Sequence, residues 1–423
     1  MKIKFEKLFE RFDYNIKLKD NGLTILTGPN GYGKSTILNS IEAISKATEK
    51  MDYFFSIDFK EIYIENNGEE LTIRKCENSK KLKIIVTSNK KKNSKDKSNS
   101  FEIEFELIKY INQYKEESGE IFSYFRRNKA NYSQFLKKDN EVRNVQNKLE
   151  NIAQKIGEVN YIKEQRLIQK IQKIRSKSIF MEEELEEELK KINIIENLPD
   201  EFKKLIDKTL REYSNISNEL DSTYPIRLFE DNSELQKEEY EERIRSISEK
   251  FEKLKKYDLA LKNVEVDKIR FNPKYSNALK IYFDDFDTKY EKYRKLVEQL
   301  DLYTGIINQR LSFKEIKISI SEGIKIIDNN GKEIKLNQLS SGEKHEIIVF
   351  YNLIFKTKDN TLLLIDEPEI SLHISWQKKF TEDLLKIIEY KRLNVIVATH
   401  SPEIIGGFWE NQIDLGELYE TGK

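Results

Sequence analysis

The stretch Gly28-Pro29-Asn30-Gly31-Tyr32-Gly33-Lys34-Ser35-Thr36 constrains the architecture more than any other part of the chain. A buried run, Leu23 to Leu26, leads into it, and an amphipathic pattern follows it to about Ile44. This is G-x-x-x-x-G-K-[ST] between a strand and a helix, the setting in which that spacing carries meaning. Its glycines let backbone amides turn inward on a triphosphate. Lys34 reaches the terminal phosphates, and the Ser35 hydroxyl can ligate Mg2+.

A strand feeding such a loop needs parallel neighbours buried on both faces, and two runs near the other end of the chain qualify. Thr361-Leu362-Leu363-Leu364-Ile365-Asp366-Glu367-Pro368-Glu369 reads as a fully buried strand ending in two acids and a proline. Adjacent carboxylates at the C-terminal edge of a parallel strand have the geometry for metal and water activation. Ile370-Ser371-Leu372-His373 then leads to a helix from Trp376 to Ile388, and a second buried strand, Val395 to Thr399, ends in His400-Ser401-Pro402. The chain holds three histidines, His345, His373 and His400, all at strand ends or helix starts. A neutral structural imidazole is the default for such residues. His400 differs, because it closes a strand in the sheet that carries Asp366 and Glu367, where nucleotide sites form in α/β folds.

Between these ends the pattern changes twice. Lys2 to Glu6 and Tyr14 to Leu18 alternate, and short strands are predicted near Tyr53 to Phe59, Glu61 to Glu65, Leu71 to Arg74, Leu82 to Thr87 and Phe101 to Phe105, forming an antiparallel sheet beside the nucleotide strand. Residues 88–98, all Lys, Asn, Asp and Ser, read as a solvated loop rather than a basic finger, and Leu107 to Tyr114 reads as a helix. A brief strand from Val159 ends in Glu164-Gln165-Arg166. From about Ile168 to Ile307 long Glu/Lys-rich stretches carry Leu and Ile at helical spacing, the mark of an exposed helical arm. Breaks at Leu198-Pro199-Asp200, Thr223-Tyr224-Pro225 and Phe271-Asn272-Pro273 predict three or four helices rather than one long coiled coil. The Tyr and Phe residues of Ser276 to Asp301 are expected to pack between helices.

Past Arg310 strands resume at Glu315 to Ser319 and Gly323 to Ile327, with a hairpin turn at Asp328-Asn329-Asn330-Gly331. Next, Leu339-Ser340-Ser341-Gly342-Glu343-Lys344-His345-Glu346 opens an apolar helix, Ile347 to Phe355. Two serines and a glycine keep donors clear of bulk where a helix begins, which suits an anion; the same letters also make a plain helix cap.

At 423 residues, with 38% hydrophobic and 35% charged residues, the chain can form a core plus a solvated element. Lys+Arg and Asp+Glu both number 74, so net charge is zero and no global basic field points to nucleic acid. DNA contact would need a local patch, such as Lys203 to Arg211 or Lys90 to Lys97. The single cysteine, Cys76, excludes an internal disulfide and a paired-cysteine zinc hook and reads as a strand residue. No apolar run reaches transmembrane length, and Met1 to Glu6 lacks a signal-peptide core, so a soluble cytoplasmic protein with no membrane partner is expected.

Taken together, the motifs resemble the ABC-type ATPase heads of the SMC, RecF and OLD-like ATPases. Gly28 to Thr36 matches Walker A, Gln165 the Q-loop, Leu339 to Glu343 the signature, Leu362 to Glu367 Walker B, Ser371 to His373 the D-loop, and His400 the switch histidine. The implied fold is α/β, a two-lobed P-loop NTPase head with a short helical or coiled-coil arm inserted: an N-terminal lobe over 1–170, the arm over 171–307 and a C-terminal lobe over 308–423. Ser341 stands where the usual signature has its first glycine, and Leu372-His373 replaces the Asp of SMC D-loops. Both departures look more like the OLD and defence-associated ATPases. Longer runs, Leu26 to Leu38, Ile162 to Leu167, Leu220 to Leu228, Leu339 to Phe355 and Ile365 to Ile405, resemble the ATPase subunits of PARIS-type anti-phage systems, the AriA family, encoded beside a TOPRIM nuclease, AriB.

The resemblance implies roles residue by residue. Asn30, Gly31, Gly33, Lys34, Ser35 and Thr36 would hold ATP; Ser35, Gln165 and Asp366 would hold Mg2+ directly or through water. Glu367 would activate the attacking water, and His400 would steady the γ-phosphate. Ser340, Ser341, Gly342 and Glu343 would close on the nucleotide of a second copy, so that ATP glues a homodimer. Further assembly, up to a hexamer, is expected from the family. The implied function is a sensor that holds a separate TOPRIM nuclease and releases it when a phage trigger protein appears. No nuclease domain is read in the chain, so that chemistry is expected from another polypeptide. Alternatives are a RecF-like or SMC-like DNA-repair ATPase, a Septu-type (PtuA-like) defence ATPase with an HNH partner, and, disfavoured by the arm, a transporter subunit.

Overall fold

A computed structural model describes residues 1–75, 81–88, 101–106, 147–163, 183–230, 234–259, 268–372 and 374–421. Cys76, the 88–98 loop beyond its first residue and the helix expected at 107–114 lie outside them. The chain divides into two compact units, Met1–Arg166 with Thr357–Lys423, and Leu167–Lys356. The division places 308–356, grouped by sequence with the C-terminal lobe, in the same unit as the helices.

The first unit holds two sheets. Strands β1 (Lys2–Leu8), β2 (Phe12–Lys17), β4 (Glu61–Asn66), β5 (Glu69–Lys75), β6 (Lys81–Ser88) and β7 (Phe101–Glu106) form an antiparallel sheet in the order β2-β1-β4-β5-β6-β7. Alternation drives it: in β2, Phe12, Tyr14 and Ile16 are buried while Asp13, Asn15 and Lys17 face out. Strands β3 (Leu23–Thr27), β8 (Val159–Ile162), β12 (Leu362–Asp366), β13 (Asn394–Ala398) and β14 (Gln412–Asp414) form a parallel sheet in the order β14-β3-β13-β12-β8. Every residue of β3 and β12 is buried, as unbroken apolar runs require of strands covered on both faces. Helix α1 (Lys34–Ser45) inserts Ile37, Leu38, Ile41 and Ile44 into the core shared by both sheets.

One predicted strand in this unit is instead helical. Tyr53–Ser56 forms a single turn, with the Phe54 and Phe55 amides donating to the Met51 and Asp52 carbonyls and the Ser56 hydroxyl to the Tyr53 carbonyl. Three consecutive aromatics cannot alternate between faces. Coiled, they pack Phe54 inward against Phe59 and keep Tyr53 and Phe55 on the core's margin.

In the second unit, helices α2 (Glu183–Glu230) and α3 (Lys237–Lys256) pack on α4 (Ser276–Asn308). The expected break before Pro273 is present, since a turn at Pro273–Tyr275 precedes α4. Those at Pro199 and Pro225 are not, because both prolines lie inside α2. Each removes one helical hydrogen bond and costs about 3 kcal/mol in isolation, and tertiary contacts offset that cost. Around Pro199, Leu198, Phe202 and Ile206 are buried, with Phe202 set 5.5 Å from Tyr303 of α4. Beside Pro225, Arg227 grips both oxygens of Asp285 at 2.6 and 2.9 Å and donates to the Leu220 carbonyl at 2.7 Å. Gly323, at φ +71°, lets the Pro199 carbonyl approach to where a Cβ would stand 2.2 Å away. The aromatics of α4 pack between helices as expected, Tyr293 on Tyr213 of α2 and Phe286 on Phe251 of α3.

The unit also contains the sheet β11 (Glu333–Ile334), β10 (Gly323–Asp328), β9 (Lys314–Ser319), its hairpin closed where the Gly331 amide donates to the Asp328 carbonyl. Helix α5 (Ser341–Tyr351) follows and runs into a π-helical turn, Asn352–Lys356. Among the described residues no helix is long and apolar enough to cross a membrane.

Candidate active site

Three adjacent parallel strands deliver their C-terminal ends to one edge of the first unit: β3 with the glycine loop, β13 with His400, and β12 with Asp366 and Glu367. That edge is where open α/β sheets bind ligands. Gly33 caps α1 at φ +87°, and a Cβ there would stand 2.9 Å from Leu8 Cδ2, so conformation and space both demand glycine. Asn30, Gly31 and Ser35 are exposed at the loop, with Thr36 half-buried behind them.

Lys34 is buried at 5% exposure. Its ammonium donates to the Gly28 carbonyl at 2.8 Å and lies 2.5 Å from His400 Nε2, an arrangement that needs a neutral imidazole accepting at Nε2. Burial pushes the Lys34 ammonium below its ordinary value, opposed chiefly by the Glu367 and Asp366 carboxylates. Burial, and then Lys34 itself, likewise lower His400. The Glu367 carboxylate stands 3.5 Å from the same imidazole nitrogen.

Asp366 is held from two sides. The Ser35 hydroxyl donates to Oδ1 at 3.2 Å, and the Tyr161 phenol, from β8, donates to Oδ2 at 2.9 Å. Burial first and Asp366 second push the Tyr161 phenol far above its usual range, so it remains a donor. A hydroxyl facing a carboxylate, with phosphate oxygens and water completing the shell, is a hard-oxygen donor set that fits Mg2+. Glu367 sits at φ 45°, ψ 57°, a left-handed conformation uncommon outside glycine; its amide donates to the Ala398 carbonyl at 2.8 Å. Strain of this kind, about 1–3 kcal/mol, is held only where neighbours over-determine it.

The loop is also braced from behind. Thr27 donates to Asp414 at 2.7 Å, Tyr14 donates to the Tyr32 carbonyl at 2.9 Å, and the Tyr32 ring meets Phe12 and Tyr419 at 5.0 and 6.1 Å.

Ser340 to Glu343 belong to the second unit. Ser340 is the N-cap of α5: its hydroxyl accepts from the Glu343 amide at 3.2 Å, and the Glu343 carboxylate accepts from the Ser340 amide at 2.9 Å. Lys314 holds that carboxylate at 2.8 and 3.0 Å. Around Gly342 a Cβ would meet nothing within 4 Å. The structure therefore brings the glycine loop, Asp366, Glu367 and His400 together in one unit and Ser340, Ser341, Gly342 and Glu343 together in the other; Gln165 and His373 lie outside the described residues. Sequence reasoning missed Tyr161 and Asp414. Tyr161 carried a signal, since it lies four residues before Gln165 on a strand whose neighbour is β12.

The family model described as AAA ATPase domain, AAA_15, matches residues 7–405. The putative ABC transporter ATP-binding protein CA_C1368 of Clostridium acetobutylicum is 27% identical over 114 residues, 27% of this chain and 40% of that protein. The Retron Ec83 probable ATPase of Escherichia coli is 26% identical over 141 residues, covering 31% of this chain and 25% of its own. The Septu protein PtuA of Bacillus thuringiensis is 32% identical over 114 residues, covering 24% and 28%. The chain thus spans well under half the length of these three relatives. Among solved structures, the Smc head domain of Pyrococcus furiosus with an extended coiled coil, bound to the C-terminal domain of ScpA, overlaps 98% of this chain and 92% of its own at 14% identity and a TM-score of 0.37.

Proposed function

The chain belongs to the AAA_15 family of AAA ATPase domains, and from that premise we propose that it binds and hydrolyses ATP as the sensor and scaffold subunit of a bacterial anti-phage defence system of the PARIS type. The observation that carries the ATPase reading is the convergence of Lys34, Ser35, Asp366, Glu367 and His400 on one sheet edge. Similarity to the retron ATPase and to PtuA supports the defence reading, as do Ser341 and Leu372-His373 in the signature and D-loop.

The loop amides and Lys34 take the β- and γ-phosphates, the ammonium exchanging its bonds to Gly28 and His400 for phosphate oxygens. Ser35 and Asp366, with Gln165, would hold Mg2+, which would supply neutralisation of phosphate charge. Tyr161 keeps Asp366 oriented for that task. Glu367 orients the attacking water and accepts its proton. His400, released from Lys34, donates toward the γ-phosphate. Ser340 and Gly342 present free donors at the start of α5 to the nucleotide of a second copy, so ATP holds two chains together and hydrolysis loosens them. A separate nuclease of the TOPRIM class is held in that assembly and freed when a phage protein disturbs it.

Co-purification of the chain with the product of its neighbouring reading frame, with and without ATP, tests this. A complex that ATP or Glu367→Gln strengthens supports the reading. A neighbour that is a repair protein, or an HNH nuclease, moves the function to one of the other classes.

A further inference from the structure

Glu369 lies two residues past Glu367 and reaches from the end of β12 to the end of β13. One carboxylate oxygen, Oε1, accepts three bonds there: from the Thr399 hydroxyl at 2.7 Å, the His400 amide at 2.7 Å and the Ser401 amide at 3.2 Å. Among the described residues Oε2 is buried and has no hydrogen-bond donor, so the side chain is committed through one atom. A second tie runs parallel to it. Gln377, on α6 (Ile374–Lys391), accepts from the Ser401 hydroxyl at 2.7 Å and donates to the Glu369 and Leu372 carbonyls at 3.2 and 3.0 Å. The Thr399 hydroxyl closes the ring by accepting from the Ser401 amide at 3.0 Å.

Three donors on a carboxylate oxygen are worth more than neutral pairs, and removing their acceptor strands the Thr399 hydroxyl and the His400 amide while leaving the Ser401 amide only its bond to the Thr399 hydroxyl. The peptide so held carries the His400 imidazole, whose Nε2 stands 2.5 Å from Lys34 Nζ and 3.5 Å from Glu367 Oε1. An amide fixed by its own hydrogen bond leaves an imidazole only its side-chain torsions to find that position.

We propose that Glu369 is a positioning residue for ATP hydrolysis, acting through the His400 peptide and locking the loops 367–372 and 399–401 into one body. This deepens the ATPase reading above and rests on it.

The test compares steady-state hydrolysis and imidazole NMR in the full chain. Glu369→Ala should lower kcat about 10- to 100-fold while leaving KM and ATP Kd within about twofold; Glu369→Gln, which keeps the accepting oxygen, should retain most of the rate. In the double variant Glu369→Ala/His400→Gln the rate should be no lower than in His400→Gln alone. With three histidines in the chain, the His400 signal is identified by its loss in His400→Gln; it should move in Glu369→Ala and stay in Glu369→Gln. Multiplying losses in the double variant, or an unmoved His400 signal, overturns the proposal. If Glu369→Ala does not fold, Thr399→Val removes one of the three donors and should give a smaller kcat loss that vanishes in the His400→Gln background; an equal loss in both backgrounds overturns it. The NMR arm needs no turnover, so a wild-type chain without hydrolysis sinks the ATPase reading while the tether is still decided by the imidazole shift.

Discussion

Lys34 Nζ and His400 Nε2 stand 2.5 Å apart, joining the first residue of α1 to one beyond β13 across 366 positions of sequence. The contact ties the ammonium proposed to take the phosphates to the His400 imidazole. Removing it has two separable effects. Lys34→Ala should weaken ATP binding about 100-fold, roughly 3 kcal/mol for lost charge-assisted bonds, in a calorimetric titration. It should also let His400 titrate nearer its ordinary 6.5, because one of the two causes lowering it is gone. ATP affinity unchanged in Lys34→Ala would remove the phosphate role.

The Tyr161 phenol holds Asp366 Oδ2 at 2.9 Å. In Tyr161→Phe that oxygen loses a donor, and the Mg2+ concentration for half-maximal hydrolysis should rise about 5- to 10-fold, the worth of one bond to a charged group orienting a metal ligand. ATP affinity measured without metal should not change. Identical metal dependence in the two proteins would show the phenol to be a packing group only.

Glu367→Gln keeps the side chain's shape and removes its basicity. Hydrolysis should fall by a factor of about 1,000 or more while ATP still binds, and an ATP-held dimer should accumulate in sizing chromatography. Turnover at the wild-type rate would end the assignment of Glu367 as the base.

The start of α5 can be tested in two opposite directions of stability. Ser340→Arg removes an N-cap, costing about 1 kcal/mol, whereas Gly342→Ala adds a methyl into open space and gains roughly 0.5–1 kcal/mol of helix propensity. Both should spare ATP binding by the monomer and weaken the ATP-dependent dimer. A dimer that tracks thermal stability instead, lost in one variant and strengthened in the other, would reduce Ser340 and Gly342 to capping residues.

Burial pushes the His345 imidazole down to about 4 from an ordinary 6.5. Below 6.5 the unfolded chain takes a proton that the folded one refuses, so this residue costs nothing above pH 6.5 and erodes stability as pH falls toward 4. Its ring is partly open to solvent, and the loss should be about 1 kcal/mol. His345→Gln should flatten that limb of a denaturation-midpoint curve; an unaltered limb would assign the acid loss to other groups.

Features that depend on local order along the chain were readable before any coordinates. Gly28 to Thr36 lies between a strand and a helix, Leu362 to Asp366 forms a buried strand, and Asp328 to Gly331 turns a hairpin. In each the signal is a short pattern whose physical cause is local. What escaped has causes distant in sequence. Pro199 and Pro225 break an isolated helix, and it takes Phe202 against Tyr303 and Arg227 on Asp285 to carry one through. Tyr53 to Phe55 suit a strand by composition, yet three rings in a row need a coil to share one core. Tyr161 and Glu369 are ordinary letters until the sheet order sets β8 beside β12 and β12 beside β13.

That sheet order also governs when the site can exist. Its strands come from residues 23–27, 159–162, 362–366, 394–398 and 412–414, and the bond from Thr27 to Asp414 spans 387 positions. A ribosome adding about 5–20 residues per second needs roughly 20–80 s to travel from the first of these to the last. During that interval the glycine loop has left the ribosome without the strands that flank it, and contacts of such long sequence separation form late. A chain released before residue 362 would carry Lys34 but not Asp366, Glu367 or His400. Fragments left by interrupted synthesis, whether from a damaged message or a stalled ribosome, should therefore neither hydrolyse ATP nor join finished copies through it.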